Sequence, residues 1–107
     1  MIILKCVYTR PNTSSAFFPE AEETQTYIVI RNNLVLAHPD LVAPSVKTKS
    51  PDGLLYEFTQ TYPNTAAFNQ FKSIVIAALP DWELVRRQYI DTNGHTEVTT
   101  ITHSYES

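Results

Sequence analysis

The sequence predicts an α+β fold, in which one antiparallel sheet carries its helices on a single face. Three observations lead there. From Leu54 to Tyr62, residues Leu54, Tyr56, Phe58 and Tyr62 alternate with Leu55, Glu57, Thr59 and Thr61, the period of two that sends successive side chains to opposite faces of a sheet. Immediately afterwards Ala67, Phe68, Phe71, Ile74, Val75 and Ala78 recur at offsets of one, four, seven, eight and eleven, which places them on one stripe of a helix. The order of elements along the chain completes the argument: strand, helix, strand, strand, helix, short helix, strand. That order is the split βαβ or ferredoxin-like arrangement.

Each element has its own signals. Ile2 to Arg10 reads as a strand with Leu4, Cys6 and Tyr8 on one face and Ile3, Lys5, Val7 and Thr9 on the other, until Pro11-Asn12 stops it. Phe17-Phe18 then marks a loop anchored on the core. Residues 20–36 support two readings. Pro19 followed by Glu20, Glu22 and Glu23 suits the positive end of a helix dipole, whereas the β-branched run from Thr24 to Ile30 and the pair Asn32-Asn33 suit a hairpin. The acidic start favours the helix, which His38-Pro39-Asp40 would end. Pro44 to Lys49 fits an edge strand whose lysines discourage further pairing.

Ser50-Pro51-Asp52-Gly53 is turn-like, and Asn64 is placed to cap the main helix, which Leu79-Pro80 terminates. Tyr56, Phe58, Phe68 and Phe71 are the expected centre of the core. Asp81 can cap a short helix whose Trp82, Val85 and Tyr89 share a face, and Asn93-Gly94 is a turn signal. In the last strand, His95 to Tyr105, Val98 and Ile101 have opposite parity, which calls for a bulge or a strand apolar on both sides.

The 107 residues, 43% of them hydrophobic, suit one folded domain spanning 1–107. Eight basic and eleven acidic residues give a net charge of −3 with no basic block, so nucleic acid is a poor partner. Although Tyr56 and Phe58 lie where RNA-recognition modules carry stacking aromatics, Leu54-Leu55-Tyr56-Glu57-Phe58 lacks the basic residue and glycines of that motif. The single Cys6 excludes an internal disulfide, and no apolar run suggests a leader or a membrane span; a cytoplasmic protein is expected. Helices cover only one face of such a sheet, yet Ile3, Val7, Leu55 and one of Val98 or Ile101 fall on the other. A two-fold homodimer with sheet facing sheet is the expected remedy.

The pattern Ser50-Pro51-Asp52-Gly53-Leu54, then Tyr56-Glu57-Phe58, then Tyr62-Pro63-Asn64-Thr65-Ala66-Ala67-Phe68 resembles the dimeric α+β barrel proteins, among them the antibiotic-biosynthesis monooxygenase-like and stress-responsive barrel families. The resemblance implies a sheet-to-sheet dimer, often with a small cavity between sheet and helices, and implies no single activity. Haem-degrading members use an asparagine on the first strand with a tryptophan and a histidine on the second helix. Here the first strand offers Cys6 and Tyr8, and the main helix has neither tryptophan nor histidine. Cofactor-independent monooxygenases of the group surround a phenolic substrate with polar and aromatic residues. Tyr8, Tyr56, Phe71 and Trp82 are the residues that would line such a ligand pocket, with core packing the ordinary role of aromatics at regular spacing.

No residue is assigned to catalysis. His95 and His103 stand eight apart, about 27 Å at ~3.4 Å per residue in an extended strand, too far to share a metal within one chain. His38 beside Asp40 fits a solvated loop, Cys6 a buried structural thiol, and Arg86-Arg87 a solvated helix face. With Gly53 and Gly94 alone there is no phosphate loop or dinucleotide fingerprint, so no metal and no cofactor is expected. The sequence thus points to a module that binds a small apolar or aromatic molecule. A cofactor-independent monooxygenase or isomerase acting on an aromatic substrate, with Cys6 or His103 as its titratable group, is the alternative.

Overall fold

The computed structural model describes residues 1–103. Four strands, β1 (Ile2–Thr9), β2 (Val46–Lys49), β3 (Leu55–Tyr62) and β4 (Thr96–His103), form one sheet in the order β2-β3-β1-β4, antiparallel at every pairing. Helix α1 (Gln25–Ala37) carries the chain from β1 to β2, and α2 (Thr65–Ala78) with α3 (Trp82–Thr92) carries it from β3 to β4. Two split β-α-β units therefore interleave, each crossing over a strand of the other. In the register, Tyr8 lies opposite Tyr56 and Glu97, and Cys6 opposite Phe58 and Thr99, so these side chains share the helix-covered face.

Residues 20–36 resolve in favour of the helix, but it starts later than the acidic cluster suggests. The fully buried rings of Phe17 and Phe18 pull the chain into a turn, in which the Ala21 amide donates to the Phe17 carbonyl at 2.9 Å. Glu22–Thr24 is a short 3-10 turn, and the Thr24 hydroxyl donates to the Phe18 carbonyl at 2.7 Å, tying the helix start to that anchor. At α2, Asn64 Oδ1 accepts from the Ala67 amide at 2.8 Å, the expected cap. Asp81 occupies the corresponding position of α3 without capping it, and its carboxylate accepts from the Tyr27 hydroxyl at 3.0 Å. Strand β4 runs in unbroken register beside β1, so no bulge is needed: Ile101 faces the helices and Val98 the opposite side. The predicted end of that strand at Tyr105 lies outside the described residues.

The core divides rather than centring on Tyr56, Phe58, Phe68 and Phe71. Tyr62, Phe71, Val75, Ile2, Val35 and Val42 pack at one end of the sheet, and Tyr56, Tyr8, Cys6, Phe17 and Ile90 at the other. The loop ring of Phe17 packs 5.5 Å from Tyr56. Phe58, between the two clusters, is left only half-buried.

Candidate functional site

That gap between the packed ends is a cavity of about 570 Å³ between sheet and helices. Its floor comes from the even-numbered residues of β1 and β3, including Cys6, Tyr8, Phe58 and Tyr62, and its roof from α1, α2 and α3. Three of the four expected pocket residues, Tyr8, Phe71 and Trp82, stand in its wall. Tyr56 lies apart in the Phe17 cluster, edge-on to Tyr8 at 6.1 Å, and its buried phenol is pushed up to about 12. Cys6 is buried and reaches the wall with its thiol 3.5 Å from the Thr99 hydroxyl. His103 is exposed on β4, opposite Ile2.

Sequence reasoning missed two polar residues here, Arg31 in the cavity wall and the buried Gln60 bonded to it. Arg31 occupies the helical stripe between Ile28 and Val35, at spacings of three and four, so α1 aims a guanidinium at the sheet. Gln60 belongs to the alternating row of Tyr56, Phe58 and Tyr62 and is completely buried. They meet: Arg31 Nη2 donates to Gln60 Oε1 at 2.6 Å, while Gln60 Nε2 donates to the Ala43 carbonyl at 3.0 Å and to Ser45 Oγ at 3.1 Å. The guanidinium also lies against aromatic rings, 5.1 Å from the centre of Phe58 and 5.9 Å from those of Phe71 and Trp82. The signal for both is spacing: a charged residue on an apolar helix stripe and an amide on an aromatic strand face.

Electrostatics at the site follow from burial. Desolvation pushes the Tyr8 phenol well above its ordinary range, so it stays a neutral hydroxyl; Tyr62 moves the same way, partly offset by the adjacent Arg31. Burial lowers Arg31 in turn, opposed by Tyr62, Tyr8 and Cys6. Arg86, expected on a solvated face, instead packs inward with ion pairs to Glu83 at 2.7 Å and to Glu97. Arg87 is exposed. Elsewhere His95 is buried, its Nε2 sharing a 2.8 Å hydrogen bond with Ser15 Oγ. Among the described residues no group of three or more His, Cys, Asp or Glu side chains is placed to hold a metal, and no helix is long and apolar enough to cross a membrane.

No protein-family model and no curated protein matches the chain. Solved structures do. A mutant of SnoaB, a cofactor-independent oxygenase from Streptomyces nogalater, superimposes with a TM-score of 0.58 over 99% of this chain and 94% of its own at 11% identity. A candidate antibiotic biosynthesis monooxygenase from Deinococcus radiodurans gives 0.58 over 100% and 95% at 14% identity. A dimeric ferredoxin-like protein from an uncultured marine organism gives 0.52 over 99% and 96% at 6% identity. The chain has the ferredoxin-like α+β fold. At these identities the likeness concerns backbone architecture, which is the architecture the resemblance in the strand-turn-helix segment implied. What this ferredoxin-like chain adds to that backbone is its own cavity lining.

Proposed function

We propose that the chain binds a small, mainly apolar or aromatic molecule in the cavity between sheet and helices. The observation that carries this reading is the cavity itself, about 570 Å³ walled by Tyr8, Phe58, Phe71 and Trp82. Ligand sites are typically about 300 to 1,000 Å³, apolar, with a few oriented polar groups, and Arg31, held by its bond to Gln60, supplies one here. Native mass spectrometry of protein purified without added ligand tests it directly. A small mass retained under gentle conditions and lost on denaturation is the expected result. Leu4→Phe, which intrudes on the cavity from the central strand, should abolish that retention; retention unchanged in this variant would move binding elsewhere.

The working unit we propose is a homodimer, joined through the sheet face that the helices leave bare. Ile3, Val7, Leu55 and Val98 lie there among threonines, with Lys5 and Glu57 forming a 3.3 Å ion pair. One structural neighbour is itself a dimeric ferredoxin-like protein.

Likeness to a cofactor-independent oxygenase supports a second reading, oxidation of a phenolic ring by O₂ to a quinone with water as the other product. The cavity meets its minimal need, since Cys6 and Tyr8 are titratable groups in a wall shared with Trp82. The Tyr8 phenol, held neutral by burial, would orient a substrate hydroxyl rather than remove its proton. Oxygen uptake with phenolic substrates, compared between the native protein and a Tyr8→Phe, Trp82→Ala variant, tests this; identical uptake in the two would remove the cavity from the reaction.

A further inference from the structure

Arg31 carries a charge that nothing nearby neutralises. Among the described residues no carboxylate lies within ion-pairing distance of it, whereas Arg86, on the same cavity, is matched by Glu83 and Glu97. A guanidinium does not lose its proton in a protein, so the charge remains in a partly desolvated place. Its hydrogen-bonding partners, Gln60 and the Tyr62 hydroxyl, are neutral. Because the Gln60 NH₂ is committed to Ala43 and Ser45, its oxygen faces Arg31 and holds the fork in one orientation without cancelling the charge. Faces of Phe58, Phe71 and Trp82 give only the weaker cation–π attraction. A buried charge in this condition is costly, and an anion arriving with the ligand removes that cost.

The rest of the lining points the same way. Lys47 of β2 and Lys72 of α2 reach the cavity, both exposed and neither in an ion pair among the described residues. Glu83 is the one carboxylate in the lining, and Arg86 occupies it. A protein of net charge −3 thus surrounds its cavity with positive potential, which draws anions in.

We infer that the ligand is a planar aromatic carboxylate, its carboxyl group on the Arg31 fork and its ring among Phe58, Phe71 and Trp82. A guanidinium fork matches a carboxylate with two parallel N–H···O bonds, and the surrounding rings give a flat molecule faces on which to stack. The inference rests on the cavity being a binding site, and the test separates the two. Trp82 is the only tryptophan and stands in the wall, so its emission reports occupancy. The protein is titrated with 2-naphthoate and with 2-naphthamide, which keeps ring and shape but has no charge. Naphthoate is expected to bind about tenfold or more tightly than the amide. Arg31→Gln should erase that preference while amide binding persists, and Lys47→Gln or Lys72→Gln should change it by no more than about threefold, as suits screened surface charges. Equal binding of acid and amide to the unaltered protein overturns the carboxylate inference and leaves the cavity reading intact. Binding of neither probe, by Trp82 emission and by calorimetry, overturns both. Since the comparison of acid with amide needs no variant, a poorly folded Arg31→Gln does not blunt it.

Discussion

His95 shows how one buried side chain converts pH into stability. It sits between the rings of Phe17 and Tyr89, at centroid distances of 5.8 and 6.0 Å, with Nε2 bonded to Ser15 and no partner for Nδ1. Burial first, and then the charge of Arg10, hold its pKa below the ordinary 6.5. The unfolded chain therefore takes up a proton at a higher pH than the native one. Stability from this group is complete above 6.5, declines as pH falls below that value, and is fully lost below the depressed native pKa. The slope has a ceiling of about 1.4 kcal/mol per pH unit for one proton. Urea unfolding at a series of pH values between about 7 and 5 should show midpoints falling with acidity, and His95→Phe should flatten that dependence whatever its own baseline stability. A slope unchanged in the variant would assign the acid sensitivity to other groups.

Between elements, the two C-terminal helices begin on similar-looking residues that do different things. Asn64 caps α2 with its side chain, whereas Asp81 at the start of α3 is engaged by Tyr27 of α1. Asn64→Ala should cost about 1 kcal/mol, seen as a drop of several degrees in Tm. Asp81→Ala removes only an exposed hydrogen bond and should cost about half as much or less. Equal losses would mean that Asp81 supports α3 in a way its geometry does not reveal. The contrast also marks how far sequence carries the fold. Asn64 was legible because a cap is a local bond between residues three apart, and the β3-to-α2 unit because its periodicities are clean. Residues 20–36 were not, because β-branched side chains there obey a tertiary instruction, the burial of Phe17 and Phe18, that delays the helix until Gln25. The same limit hid half of the site. Tyr8, Phe71 and Trp82 could be named as aromatics on inward faces, but Tyr56 packs instead with Phe17, a loop ring whose landing place no periodicity specifies. Arg31 and Gln60 become legible only with α1 packed on β3, which brings Arg31 Nη2 within 2.6 Å of Gln60 Oε1.

For the molecule as a whole, the proposed dimer rests on the bare sheet face. Val7 and Val98 are direct cross-strand neighbours on it, Ile3 lies further along the same row of β1, and Leu55 opens the neighbouring row of β3. Val98 is 64% exposed, and most of the rest of this surface is threonine, including Thr48, Thr59, Thr61, Thr100 and Thr102. Valine gains by being covered by a second copy, the threonine hydroxyls need hydrogen-bond partners across such an interface, and the Lys5–Glu57 pair already neutralises its own charges. Helix-side cavities and sheet-side pairing are therefore separable, because they use opposite parities of the same strands. Val7→Lys combined with Val98→Lys puts four positive charges into a two-fold interface, where like charges cost several kcal/mol. Size-exclusion chromatography with light scattering should report twice the chain mass for the native protein and the single chain mass for this double variant. Because neither residue lines the cavity, the variant should still quench Trp82 with 2-naphthoate. A native protein that elutes as a monomer would end the dimer proposal without touching the cavity. A variant that loses quenching along with pairing would instead show that the sheet holds its cavity open only when a second copy braces it.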